Sequence, residues 1–169
     1  MRPVKGTCPS YYDYYNELVK ENDLLAAFDS GWLEVQKVVS TISKEKESLA
    51  YAEGKWTIKQ VIIHLIDTER IFTYRALRFA RKDPQQVLSY DEDDYAAAAE
   101  LDNRTLSDLI QEFETVRKAS ISLYKTFSEE TMLRSGLTAI GSASVISLGY
   151  MTCGHALHHL NVIKERYLK

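Results

Sequence analysis

Apolar side chains recur every three to four residues through most of this chain, a spacing that admits helices and little else. The pattern first runs from Asp23 to Ile42, through Leu24, Leu25, Phe28, Leu33, Val35, Val38 and Val39. Gly31 interrupts it at a local cost of about 1 kcal/mol, which a long packed helix can absorb. The stripe returns from Ile58 to Ala80, from Leu106 to Phe127, and from Ser144 to Tyr167. Seven glycines and three prolines in 169 residues are too few for an all-β fold, which needs a turn every ten residues or so.

The boundaries carry their own chemistry. Thr57 followed by Gln60 fits a capping box, and Thr105 followed by Asp108 repeats the arrangement. Ser144 suits the N-cap of the last helix, and Lys164, Arg166 and Lys169 sit at its negative end. Tyr11, Tyr12, Tyr14 and Tyr15 crowd a short segment expected to pack as a helical turn. The stretch 44–55 is polar and reads as a loop. Residues 81–103 hold Pro84, the acidic run Asp91–Asp94 and the alanines 96–99, and read as a long connection with room for one helical turn. Residues 134–143, with Gly136 and Gly141, read as an irregular or hairpin-like lid. Four long helices and one long crossover predict an all-α, antiparallel four-helix bundle. The length suits one domain over residues 1–169, able to bury roughly 70% of its unfolded surface.

Composition narrows the partners. The formal net charge of −3 supplies no electrostatic footprint for nucleic acid. No stretch approaches the ~18 apolar residues that span a bilayer, and the start lacks the apolar core of a secretory signal. Two distant cysteines, Cys8 and Cys153, form no CxxC pair, so a cytoplasmic, reducing location is expected. The run Asp91–Asp94 lacks the glycine and the closing glutamate of a calcium loop and reads as a solvated face.

Histidine carries the functional signal. His155 and His159 are spaced i, i+4, which projects both rings from one helix face about one turn apart. His64 lies among Val61, Ile62, Leu65 and Ile66, on the buried side of the second long helix. A bundle turns such faces inward, where metal sites are assembled from facing helices. His64, His155 and His159 are thus a candidate site for one divalent ion per chain, with a position left for water or substrate. A helical histidine pair also occurs without metal, and a lone buried histidine is commonly a hydrogen-bonded core residue. His158 falls off the shared face and is expected outside the ligand set. Asp67, three residues after His64, is the candidate catalytic acid, able to orient an imidazole or a water. Pairing with Arg70 is its plainer alternative. Cys153 points to another face and reads as a buried thiol.

The segment KWTIKQVIIHLIDTERIFTYRALRFAR, together with GHALHHLNVIKERYL near the end, resembles the DinB-like, or YfiT-like, superfamily. Its most specific element is one histidine in the second long helix with an H-x-x-x-H in the last, here His64, His155 and His159. The resemblance implies a four-helix bundle holding a divalent metal, commonly zinc or nickel, and often a homodimer. Among such proteins are thiol transferases and isomerases that use bacillithiol or mycothiol, and others named metal-dependent hydrolases. A small-molecule substrate is therefore expected, with a low-molecular-weight thiol as co-substrate of an S-transferase. The alternatives are a metal-dependent hydrolase and a metal-containing stress or binding protein without turnover.

Overall fold

A computed structural model describes residues 1–169. Seven helices follow in order: α1 (Ser10–Leu18), α2 (Leu24–Val39), α3 (Ile58–Ala80), α4 (Glu92–Ala98), α5 (Leu106–Tyr124), α6 (Glu129–Leu133) and α7 (Val145–Val162). A two-stranded antiparallel hairpin, β1 (Ser135–Thr138) with β2 (Gly141–Ser144), stands between α6 and α7. Ser135 pairs with Ser144, and Thr138 with Gly141. The four long helices α2, α3, α5 and α7 form the bundle.

Both capping boxes form as read. The Thr57 hydroxyl accepts from the Gln60 amide while the Gln60 side chain accepts from the Thr57 amide, and Thr105 and Asp108 do the same. Asp23 caps α2 through the Ala26 amide. The acidic run is more than a solvated face, because the Asp91 carboxylate accepts from the amides of Asp93 and Asp94 and starts α4. The tyrosine segment is a nine-residue helix rather than one turn. Residues 134–143 contribute to a regular hairpin, and α7 gives way to a π-helical turn over Ile163–Tyr167.

Helix α7 is apolar on nearly every side from Val145 to Ala156, and it is buried accordingly among α1, α2 and α3. Gly154 makes this possible. A Cβ there would collide with the backbone carbonyl of Tyr15, so only glycine lets α1 lie directly against α7.

The apolar core divides in two. One part gathers Phe28, Phe72, Phe79, Tyr124, Leu148 and Met151; the other gathers Val35, Ile62, Leu65, Leu109, Phe113 and Leu160. A polar layer crosses the bundle between them. It contains the ion pair of Glu69 and Arg117, both side chains 2% exposed, with Arg117 Nη2 2.8 Å from Glu69 Oε2. Arg117 Nη1 donates to the Phe28 carbonyl at 3.0 Å, and Gly31 on α2 faces the same group. His155 lies at this same seam, since the apolar clusters on α7 stop at Cys153 and resume at Ala156, and His64 meets it from within the second cluster.

Candidate metal centre

His64 projects from α3, and His155 and His159 project one turn apart from α7. Their Nε2 atoms converge: His155 Nε2 lies 3.1 Å from that of His64 and 3.1 Å from that of His159. One donor atom from each ring lies within 4.8 Å of the others. Zinc bound to imidazole at about 2.0–2.1 Å in tetrahedral geometry sets nitrogens about 3.3 Å apart, close to the two 3.1 Å separations that centre on His155.

The electrostatics fit as well. Burial pushes His64 down to about 4, against an upward pull from Asp93. Burial pushes His159 down to about 3, with His64 and His158 acting in the same direction. His155 is driven well below the ordinary range by burial and then by its three histidine neighbours. All three rings are thus neutral at pH 7, the form that binds metal.

Aromatic rings fix these imidazoles. Trp56 lies 4.8 Å from the His64 ring by centroid and stacks on His159 at 6.4 Å. Tyr15 meets His155 edge-on at 5.4 Å, placed there by the contact of α1 with Gly154. The Thr68 hydroxyl is 3.5 Å from His64 Nδ1 and 2.6 Å from the Tyr90 hydroxyl. His158 stays outside the triad, its Nδ1 3.1 Å from the Tyr14 hydroxyl.

The triad opens into a cavity of about 630 Å³. Its walls come from α1, α3, α7, the 81–103 connection and the hairpin, and include Tyr11, Tyr15, Trp56, Arg75, Tyr90 and Ile140. Thr138, Ala139 and Ile140, within the segment read as a lid, line it too.

Asp67 is not part of this arrangement. Its carboxylate accepts from Arg70 Nη1 at 3.3 Å, and Arg70 continues to Glu112 on α5 at 2.7 Å. Three residues along a helix turn the side chain by about −60°, toward α5, whereas four turn it by about +40°. Thr68 therefore takes the place beside His64. Burial raises the Asp67 carboxyl, an effect opposed by Arg70. Cys153 is fully buried and its thiol is pushed up to about 12, which removes it as a nucleophile.

Trp56, Tyr15, Thr68, Tyr90 and Arg75 were not singled out in the sequence. Trp56, Tyr15 and Tyr90 reach the cavity through tertiary packing or from loops, whereas Thr68 follows from its i+4 spacing to His64 on α3. Arg75 had a legible signal: eleven residues from His64 is three full turns and about 20°, the same helix face.

A profile of the DinB superfamily matches residues 27–163. A protein of Oceanobacillus iheyensis, provisionally named a metal-dependent hydrolase, is 28% identical over 130 residues, covering 76% of this chain and 74% of its own. YfiT from Bacillus subtilis, described as a probable metal-dependent hydrolase with an unusual four-helix bundle topology, superposes with a TM-score of 0.76 at 15% identity. The match covers 98% of this chain and 90% of YfiT. A mycothiol-dependent maleylpyruvate isomerase shares the fold with a TM-score of 0.66 at 14% identity, over 89% of this chain and 61% of that one. The chain belongs to the DinB superfamily.

Proposed function

We propose that this chain is a metal-dependent enzyme acting on a small molecule, with one divalent ion, zinc or nickel, held by His64, His155 and His159. The observation that carries the reading is the convergence of three neutral imidazoles, Nε2 to Nε2, beside an open cavity. An ion with only neutral ligands keeps its full charge and would lower the pKa of a thiol or water in its open position. Trp56 and Tyr15 hold the rings in place and keep bulk water from two sides of the site. Thr68 and Tyr90 present paired hydroxyls beside His64.

The reaction we assign is thiol-dependent S-transfer. Its support is that Asp67 is turned toward Arg70, which leaves Glu92 and Asp93 as the carboxylates nearest the cavity, and that a bound thiol needs only to be acidified whereas a water also needs a positioned base. Hydrolysis is the second reading, favoured by the names of the Oceanobacillus and Bacillus relatives. The homodimer implied by the family resemblance belongs to the same proposal and is tested by light scattering. No helix is long and apolar enough to cross a membrane.

The deciding assay exposes the metal-loaded protein to electrophiles with bacillithiol, glutathione or cysteine, with His159→Ala as the blank. Transfer predicts consumption of electrophile only when a thiol is present. Metal-dependent cleavage without thiol would establish hydrolysis, and inertness in every arm would leave a binding protein.

A further inference from the structure

Arg75 is 7% exposed and lines the cavity, yet it takes part in no ion pair. Its Nη2 donates to the Leu88 carbonyl at 2.6 Å, and its guanidinium lies 5.3 Å from the centre of the Phe72 ring. The hydroxyls of Tyr12 and Tyr90 lie within the reach of its charge, and Glu92 lines the same cavity. The contrast with Arg117 is informative, because that buried guanidinium is neutralised by Glu69. A buried cation without a counter-charge is costly unless a ligand supplies the anion.

The helix fixes where that anion lies. Arg75 shares the face of His64, about 16 Å further along the α3 axis. Its side chain leans back toward the helix N-terminus, hence toward His64. Thr68 and Phe72 occupy the wall between them. We propose that the cavity takes an elongated small molecule bearing a carboxylate, whose anionic end binds Arg75 while its other end reaches the histidine triad. A carboxylate fits better than a phosphate dianion, because a single guanidinium faces the ligand and Glu92 opposes further negative charge. The position of the far end rests on the proposed metal site; the carboxylate contact at Arg75 does not.

The test titrates the cobalt-loaded chain with mercaptocarboxylic acids of increasing length and with their methyl esters, read by the cobalt absorption spectrum. Once the chain is long enough to span the cavity, the acid should bind about tenfold more tightly than the ester. Arg75→Gln should erase that difference and leave the ester's affinity unchanged, while Arg75→Lys should keep part of it. Equal affinity of acid and ester at every length in the unaltered chain would overturn the proposal, as would an advantage that survives Arg75→Gln. A metal-free arm separates the two readings. Heptanoate should saturate a shift of the Arg75 Nε–H signal in NMR, and methyl heptanoate should not. Failure to bind cobalt would sink the metal site alone; absence of the heptanoate shift would sink the carboxylate site alone.

Discussion

The Nε2 atoms of His64 and His155 stand 3.1 Å apart, although 91 residues separate them in sequence. His155 Nε2 meets His159 Nε2 at the same distance. A ring nitrogen offers one in-plane position, either a proton or a lone pair, so a well-directed hydrogen bond can serve only one of these contacts. A cation accepting all three lone pairs resolves the conflict. Replacing any one of His64, His155 and His159 with Ala should therefore strip the ion, while His158→Ala should keep it. Metal content after gel filtration measures this.

Metal should add stability without being required for the fold. At a hundredfold excess over its dissociation constant, an ion that binds only the folded chain contributes roughly 2.7 kcal/mol. The apolar stripes of α2, α3, α5 and α7 pack independently of it. Chelation should lower the thermal midpoint and leave the helical circular dichroism at room temperature intact. Loss of that signal on chelation would contradict the expectation.

The metal-free chain should weaken as pH falls from about 6.5 to about 4. His64 and His159 titrate near 4 and 3 in the folded chain, below the unfolded value of about 6.5. Below 6.5 the unfolded chain takes up protons that the folded chain refuses, so stability is complete above that pH and drains below it. The loss should run on the order of 1.4 kcal/mol per pH unit for each histidine. Urea midpoints at pH 7.5 and 4.5 check this. A variant with all three histidines replaced by Gln should show a flatter profile.

Arg117 should be far less replaceable than its surface counterparts. Arg117→Met leaves Glu69 buried without its partner and should cost about 3–5 kcal/mol. Adding Glu69→Leu should recover much of that loss. Breaking the exposed Lys118–Glu114 pair should cost about 1 kcal/mol or less. Denaturant titrations of the three variants compare them directly.

Two glycines should respond to alanine in opposite directions. Gly154→Ala forces a methyl into the Tyr15 carbonyl and should cost at least about 2 kcal/mol. At Gly31 the added Cβ would sit 3.5 Å from Arg117 Nη1, an ordinary contact, so helix propensity should decide. Gly31→Ala should then be neutral or stabilising by up to about 1 kcal/mol. Thermal midpoints of the two variants test the pair.

What could be read in the sequence was local. The caps at Thr57 and Thr105 depend on residues three apart, and the His155–His159 pair on residues four apart, so each was visible without the fold. His64 was read as facing inward because apolar neighbours flank it. Asp67 had two readings, beside His64 or paired with Arg70; the structure pairs it with Arg70, and the helical rotation puts Thr68 beside His64. Trp56, Tyr15 and Tyr90 arrive from a loop, from α1 and from the 81–103 connection, and their convergence depends on tertiary packing that no local pattern encodes. The length of α1 was also hidden, because its fit against α7 turns on Gly154.

The central claim is that three imidazoles share one ion, and metal stoichiometry tests it most directly. Purified protein, dialysed after loading with zinc or nickel, should carry about one ion per chain by elemental analysis, and the His155→Ala/His159→Ala double variant should carry close to none. A double variant that stays folded and keeps a full equivalent of metal would contradict the account.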